Sequence, residues 1–456
     1  MGSATRNEIE FDSFFNVIGG KLTTTAVTRS GVNPATELAN APVPVSTKDD
    51  VDLAVASAKE AINQWSATPT SQRRDMICAF ADAMEANLLS FAKMLTTEQG
   101  RPSMVSKDEV RGGVHWLKAI ANLELPDELL KDNDSVAVVV RYVPTGVTVG
   151  IVPWNFPILL SCAKIAPALI TGNTIIIKPS PYTPYCALKI VELAQRFFPP
   201  GVIQALSGDD ALGPWLTGHP DVSNIHFTGS TVTGKKVMEC ASKTLKRVTL
   251  ECGGNDAAII CFILKRLYVH ESIYTVFLKE LVKATKQLKV GNGTDETTYI
   301  GPIQNEMQYE KLRRIIQDIE NSGSRFVIGG RPPPSGSGYF INPTIVDCPD
   351  DKSRIVVEEQ FGPVLPVLKW TTENEVINRA NDSIYGLGAS VWTADIDTAN
   401  RMSRQLEAGI VWVNTHFDAD PTVSVGGHKQ SGIGVEFGVA GLKGFCNSQT
   451  IFTRKK

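Results

Sequence analysis

The stretch TKDDVDLAVASAKEAINQW opens on a threonine followed by acids and then spaces its apolar positions three and four apart, which predicts a capped helix. Helical spacing persists to about residue 120, with a break at Gly100-Arg101-Pro102. From SVAVVVRYVPTGVTVGIVPWNFP the period drops to two with β-branched runs, so paired strands leading into a buried strand are expected. The chain then alternates: NTIIIKPS reads as strand, PYCALKIVELAQRFF as helix, GVIQALSG and VSNIHFTGS as strands, with a helix from about Thr233. The later half repeats the theme in RLYVHESIYTVFLKELVKATKQL, strand then helix, and KLRRIIQDIENSGSRFVIGG, helix then strand. Alternation with short Gly/Pro joints argues for an α/β fold of doubly wound, mostly parallel sheets. Such sheets take ligands at the carboxyl ends of their strands. The closing SQTIFTRKK is strand-like with little helix left to cover it, so it is expected to pair with another chain or domain.

The chain's 456 residues exceed what one core holds and call for two or three domains. Charged residues make up 20% and the net charge is -3, so no basic surface argues for nucleic acid. Apolar runs are interrupted well short of the roughly 20 residues of a membrane helix, and the start lacks a signal-peptide core, so a cytoplasmic protein is expected. The eight cysteines form no CxxC pair and the six histidines no HExxH, which leaves no metal site to expect.

Four stretches carry candidate chemistry. HFTGSTVTG sets Gly229 and Ser230 after a strand and Gly234 at a helix start, where free backbone N–H groups can meet a pyrophosphate; a glycine joint that merely turns the chain reads the same way. VPWNFP holds Asn155 on a stiff loop between prolines, able to donate to an oxyanion or simply to satisfy a turn. IIIKPS ends a buried strand with Lys178, at the edge where a sugar or phosphate would sit, or where a lysine would reach water. LECGGNDAAIIC pairs a carboxylate, Glu251, with a later thiol, Cys261. A fifth, GIGVEFG near residue 434, looks like a nucleotide loop, but no strand precedes it and a surface turn is expected.

Together VNPAT, EQGRP, VPWNFP, IIIKPS, FTGSTVTG, LECGG, EEQFGP, YGLGASVWT and GGHKQSGIGVE stand in the order and at about the spacings of the aldehyde dehydrogenase superfamily, which the chain resembles almost end to end. The resemblance implies a dinucleotide-binding domain (1–123 and 146–252), a catalytic domain (253–442) and a small β oligomerisation arm (124–145 and 443–456), assembled as a homodimer or homotetramer. It implies oxidation of an aldehyde to a carboxylic acid. A cysteine thiolate attacks the carbonyl, the Asn155 amide holds the oxyanion, hydride leaves for a nicotinamide, and water activated by Glu251 hydrolyses the thioester. On the same ground Ile151, Trp154, Lys178, Gly229, Ser230, Gly234, Glu359 and Phe361 are expected to bind the cofactor.

One departure stands out. Family members separate base and nucleophile by a strand, a helix and a Gly-Gln-x-Cys turn, with an arginine five residues after the cysteine. Here Cys261 has its Arg266, but the helix and the Gly-Gln are missing, roughly two dozen residues. Cys261 therefore aligns either with the nucleophile or with a cysteine that often ends the preceding strand. If Asp256 to Cys261 is that strand, its rise of about 3.3 Å per residue carries the thiol roughly 15 Å away from Glu251's end, too far to share a substrate. An impaired enzyme is expected, or a pseudoenzyme keeping a cofactor-binding or structural role; a coding segment lost from the gene model would give the same chain. Cys252, beside Glu251, reads as a substitute thiol or as a small apolar filler. A reductase of acyl phosphates fits less well, because it has no need of Glu251. NAD is the expected cofactor; NADP stays admitted because Pro181 stands where NAD-preferring relatives carry a phosphate-repelling glutamate, and no nearby arginine offers itself as a 2′-phosphate ligand.

Overall fold

The computed structural model describes residues 9–258, 265–330 and 338–455. Its first sheet has eight strands in the spatial order Lys21–Thr23, Asn16–Ile18, Ile203–Ala205, Thr174–Lys178, Val147–Ile151, Asn224–Thr228, Arg247–Glu251 and Gly432–Ile433. The five strands from Ile203–Ala205 to Arg247–Glu251 are parallel. They are buried on both faces, which is why IIIK and VTVGI read as unbroken apolar runs rather than as alternation. Chain order runs outward in one direction from Val147–Ile151 through Thr174–Lys178, and in the other through Asn224–Thr228. The carboxyl ends of Val147–Ile151 and Asn224–Thr228 therefore flank a crevice of the kind that receives ligands in open α/β sheets.

The second sheet has seven strands, ordered Arg325–Ile328, Thr344–Asp347, Val364–Trp370, Arg266–His270, Ala257–Ala258, Gly388–Val391 and Ile410–Val413. Its central connection is anomalous. Ala257 pairs with Arg266 and Ala258 with Leu267 in parallel register, so the chain passes between adjacent parallel strands within residues 259–265. Such a crossover ordinarily takes a dozen or more residues and a helix. The expected strand from Asp256 to Cys261 is described only over Ala257–Ala258, and Cys261 lies outside the described residues. Two small clefts, each of about 20 Å³, flank Ala257, one bordered by Arg266 and Tyr385 and the other by Tyr268 and Met402.

The third sheet joins the two stretches expected to form the arm. Cys446–Arg454 pairs along its whole length with Val136–Pro144 of the same chain, which pairs in turn with Glu128–Asp132. Backbone pairing over that length supplies what helix cover does not. The strand's outer edge stays open among the described residues, with Ile451 and Phe452 exposed. None of the described helices is long and apolar enough to cross a membrane.

Candidate active site

Asn155 sits between the Val147–Ile151 strand and the Pro157–Ile170 helix, whose first turn accepts Pro157 at no cost because that N–H has no partner in any helix. The loop is stapled from the Ser103–Ala121 helix. Glu109 accepts the backbone N–H groups of Ile158 at 2.9 Å and Leu159 at 3.2 Å, and its other oxygen pairs with Arg101, which also donates to the Asn155 carbonyl. Burial raises the Glu109 pKa, with Arg101 pulling it back down. Arg101 also lies over the Phe156 ring, 4.4 Å from its centroid. The Asn155 backbone is thus fixed, and its side-chain amide is free of this staple.

Glu251 ends its strand at the same carboxyl edge. Its carboxylate accepts from the Thr228 hydroxyl at 3.1 Å, and that hydroxyl accepts from the Lys164 ammonium at 2.8 Å. Lys164 also pairs with Glu436 at 2.8 Å, with side chains only 1% and 8% exposed. Burial first, then the Glu436 charge, pushes the Glu251 pKa up to about 7, against the opposing pull of Lys164 and Thr228. A carboxylate so poised takes a proton from water near neutral pH.

Lys164 and Glu436 escaped the sequence reading. A lone charge inside ILLSCAKIAPALI was the available signal for Lys164. Glu436 was hidden because GIGVEFG was expected to be a surface turn. Instead Gly432–Ile433 pairs antiparallel with Leu250–Glu251, and Glu436 is buried. A Cβ on Gly432 would lie 2.2 Å from the Leu250 carbonyl oxygen, so the glycine permits the close pairing rather than a nucleotide loop.

The expected cofactor residues line the same edge. Ile151 is buried at the end of its strand, in register with Lys178. Lys178 is buried, and among the described residues its ammonium has one hydrogen bond, to the Pro179 carbonyl at 3.3 Å. Burial lowers its pKa to about 8. An ammonium this dry and this poorly partnered suits a ligand's hydroxyl or phosphate oxygens. Arg29 reaches the same place from the Thr28–Val32 strand; its charge acts on Lys178 and its guanidinium meets the Gly208 carbonyl at 3.4 Å. Thus an arginine far away in sequence places its charge within influence of Lys178.

Gly229 donates to the Glu251 carbonyl at 3.0 Å, and a Cβ there would lie 2.6 Å from the Phe227 ring. Ser230 caps the Thr231–Ser242 helix, accepting from the Thr233 N–H at 3.2 Å. A Cβ on Gly234 would lie 2.6 Å from the Cys252 sulfur. That thiol is buried, with its pKa raised to about 11 by burial and by Glu251, which favours the packing role over that of a spare nucleophile. Trp154 packs edge-on against Phe361, centroids 5.0 Å apart, and Glu359 reaches back to accept the Gly254 N–H at 3.3 Å. Asn155, Glu251 and the cofactor residues thus share one edge; the thiol expected to complete them, Cys261, is the residue not described.

The aldehyde dehydrogenase family profile matches residues 23–261 and 259–451, in two pieces that meet where the short connection lies. An aldehyde dehydrogenase of Fusarium sp is 39% identical, covering 98% of this chain and 100% of its own. That alignment spans 472 positions, more than this chain's 456 residues, so the relative carries residues this chain lacks. A phenylacetaldehyde dehydrogenase of Pseudomonas fluorescens is 35% identical, covering 92% of this chain and 91% of its own. The solved NAD+ complex of an aldehyde dehydrogenase from Bacillus cereus superimposes with a TM-score of 0.95 at 31% identity, covering 99% of this chain and all of its own.

Proposed function

Because this chain belongs to the aldehyde dehydrogenase family, whose reaction is the NAD-dependent oxidation of an aldehyde, we propose that it keeps the cofactor groove and the hydrolytic base of that reaction but is impaired in forming the covalent intermediate. The observation that carries this reading is the parallel pairing of Ala257 with Arg266 across residues 259–265. A stretch that short has no room for a helix and a presenting turn between the strands.

In this reading Lys178 holds the adenosine ribose, and Gly229, Ser230 and Gly234 open the sheet edge to the pyrophosphate. Ile151 and Trp154 line the groove, and Glu359 and Phe361 stand at its nicotinamide end. The residues fit such a ligand: Lys178 offers a buried, under-partnered ammonium, and a Cβ at Gly253 would lie 2.8 Å from the Glu359 carboxylate. NAD, when bound, supplies the hydride acceptor. The Asn155 amide would hold the oxyanion on its stapled loop. Glu251, half-deprotonated near pH 7, would draw a proton from the hydrolytic water, with Thr228, Lys164 and Glu436 as the buried path behind it. Cys261 is the nucleophile this scheme requires. NADP is admitted alongside NAD, because Arg29 brings positive charge to Lys178 and Pro181 repels nothing.

The substrate is an aldehyde; the Pseudomonas relative makes phenylacetaldehyde the first to try. The three main sheets support a division into a cofactor domain, a catalytic domain and an arm, although Gly432–Ile433 of the expected catalytic stretch joins the first sheet. The open edge of Cys446–Arg454 suits pairing with a second copy in a homodimer or homotetramer, in the cytoplasm. The alternative, a cofactor-binding pseudoenzyme, draws on the same geometry.

Intact-mass spectrometry separates the outcomes. Glu251→Gln removes the base that clears a thioester, so a competent thiol would accumulate an acyl adduct after incubation with phenylacetaldehyde and NAD and an acid quench. No adduct on Cys261 is the expected result; a stoichiometric one overturns the reading.

A further inference from the structure

The residue that follows the short connection reaches into the cofactor groove. Lys265 pairs with the Glu359 carboxylate, donates to the Gly254 carbonyl at 3.2 Å, and lies 4.7 Å from the centroid of the Phe361 ring. The two charged side chains are 13% and 17% exposed. The oxygen of Glu359 that takes Lys265 also accepts the Gly254 N–H. One oxygen of that carboxylate is therefore engaged by this chain's own groups, on the side facing Gly254.

Resting on the cofactor reading above, we propose that Lys265 closes the nicotinamide end of the groove, so that the groove binds an adenosine diphosphate group and gains nothing from the nicotinamide half. Three physical points converge. Ribose hydroxyls seeking both oxygens of Glu359 must compete with an ammonium held in a mostly dry ion pair, and displacing it strands a charge. The face of Phe361 is already covered by a cation. The oxidised nicotinamide ring is itself a cation, and Lys265 meets it with like charge. Lys178 stands clear of this contact, on a strand three places along the same sheet from Arg247–Glu251.

Isothermal calorimetry on the intact chain tests this with ADP and NAD as probes. The two are expected to bind within threefold of each other, and NAD binding more than threefold tighter than ADP overturns the proposal. Lys265→Met, which keeps the stem and removes the charge, is expected to tighten NAD at least tenfold with ADP unchanged. Because both probes meet the same variant, their ratio cancels the difference in their own charges. An unchanged ratio overturns the proposal. Failure of ADP to bind at all refutes the cofactor-groove reading itself, whereas tight ADP with still tighter NAD refutes the closure alone.

Discussion

Replacing Lys164 with methionine tests the buried relay through its energetics. Lys164 and Glu436 are 1% and 8% exposed and pair at 2.8 Å, and the Glu251 carboxylate joins them through Thr228. The variant keeps the volume of the side chain but leaves Glu436 buried without its cation, a change that costs about 3–5 kcal/mol when the charge cannot escape. Lys164→Met should therefore lose about 3–5 kcal/mol at pH 7.5. Urea denaturation followed by tryptophan fluorescence reads this directly. The double variant Lys164→Met/Glu436→Gln should recover most of the loss. A loss below about 1 kcal/mol would refute the claim that this pair is a dry, mutually dependent one.

Three further outcomes follow from the same structure. Glu98 and Glu251 are both raised by burial to about 7 from an ordinary 4.5, so the native chain holds protons there that the unfolded chain has released. These two groups make stability fall as pH rises from about 4.5 to 7; Glu98→Gln should flatten that slope in thermal midpoints taken across the range, and a slope unchanged or steeper would contradict it. Gly234→Ala should destabilise by about 1–3 kcal/mol despite alanine's better helix propensity, because its Cβ meets the Cys252 sulfur at 2.6 Å, and Cys252→Ala should restore it. Inserting the relatives' crossover between Ala258 and Lys265 should raise the thermal midpoint by several degrees, since it restores a connection of ordinary length between adjacent parallel strands; no rise in differential scanning calorimetry would argue that the short connection carries no cost.

How far the sequence carried this picture depended on whether the information was local. The period of two, the apolar runs of IIIK and VTVGI, and the Thr47 cap, confirmed by its hydrogen bond from the Asp50 N–H at 3.2 Å, are properties of short windows and were legible. Asn155 and Glu251 were legible through their motifs. Contacts made across the fold were not: Glu436 meets Lys164 from 272 positions away, and Arg29 reaches Lys178 from an N-terminal hairpin. GIGVEFG misled because no strand precedes it in the chain, while the strand it joins, Arg247–Glu251, lies far upstream. The closing strand was legible as a strand, but its register with Val136–Pro144, more than three hundred residues earlier, is not a property of either window.

The claim at the centre is that the machinery for aldehyde oxidation is present and the connection at 259–265 disables it. Aldehyde-dependent NADH formation, followed at 340 nm for this chain beside a version carrying the relatives' full crossover and Gly-Gln-x-Cys turn, measures that difference most directly. Turnover only in the lengthened chain is the predicted result. Turnover in the chain as it stands, abolished by Cys261→Ala, would contradict it.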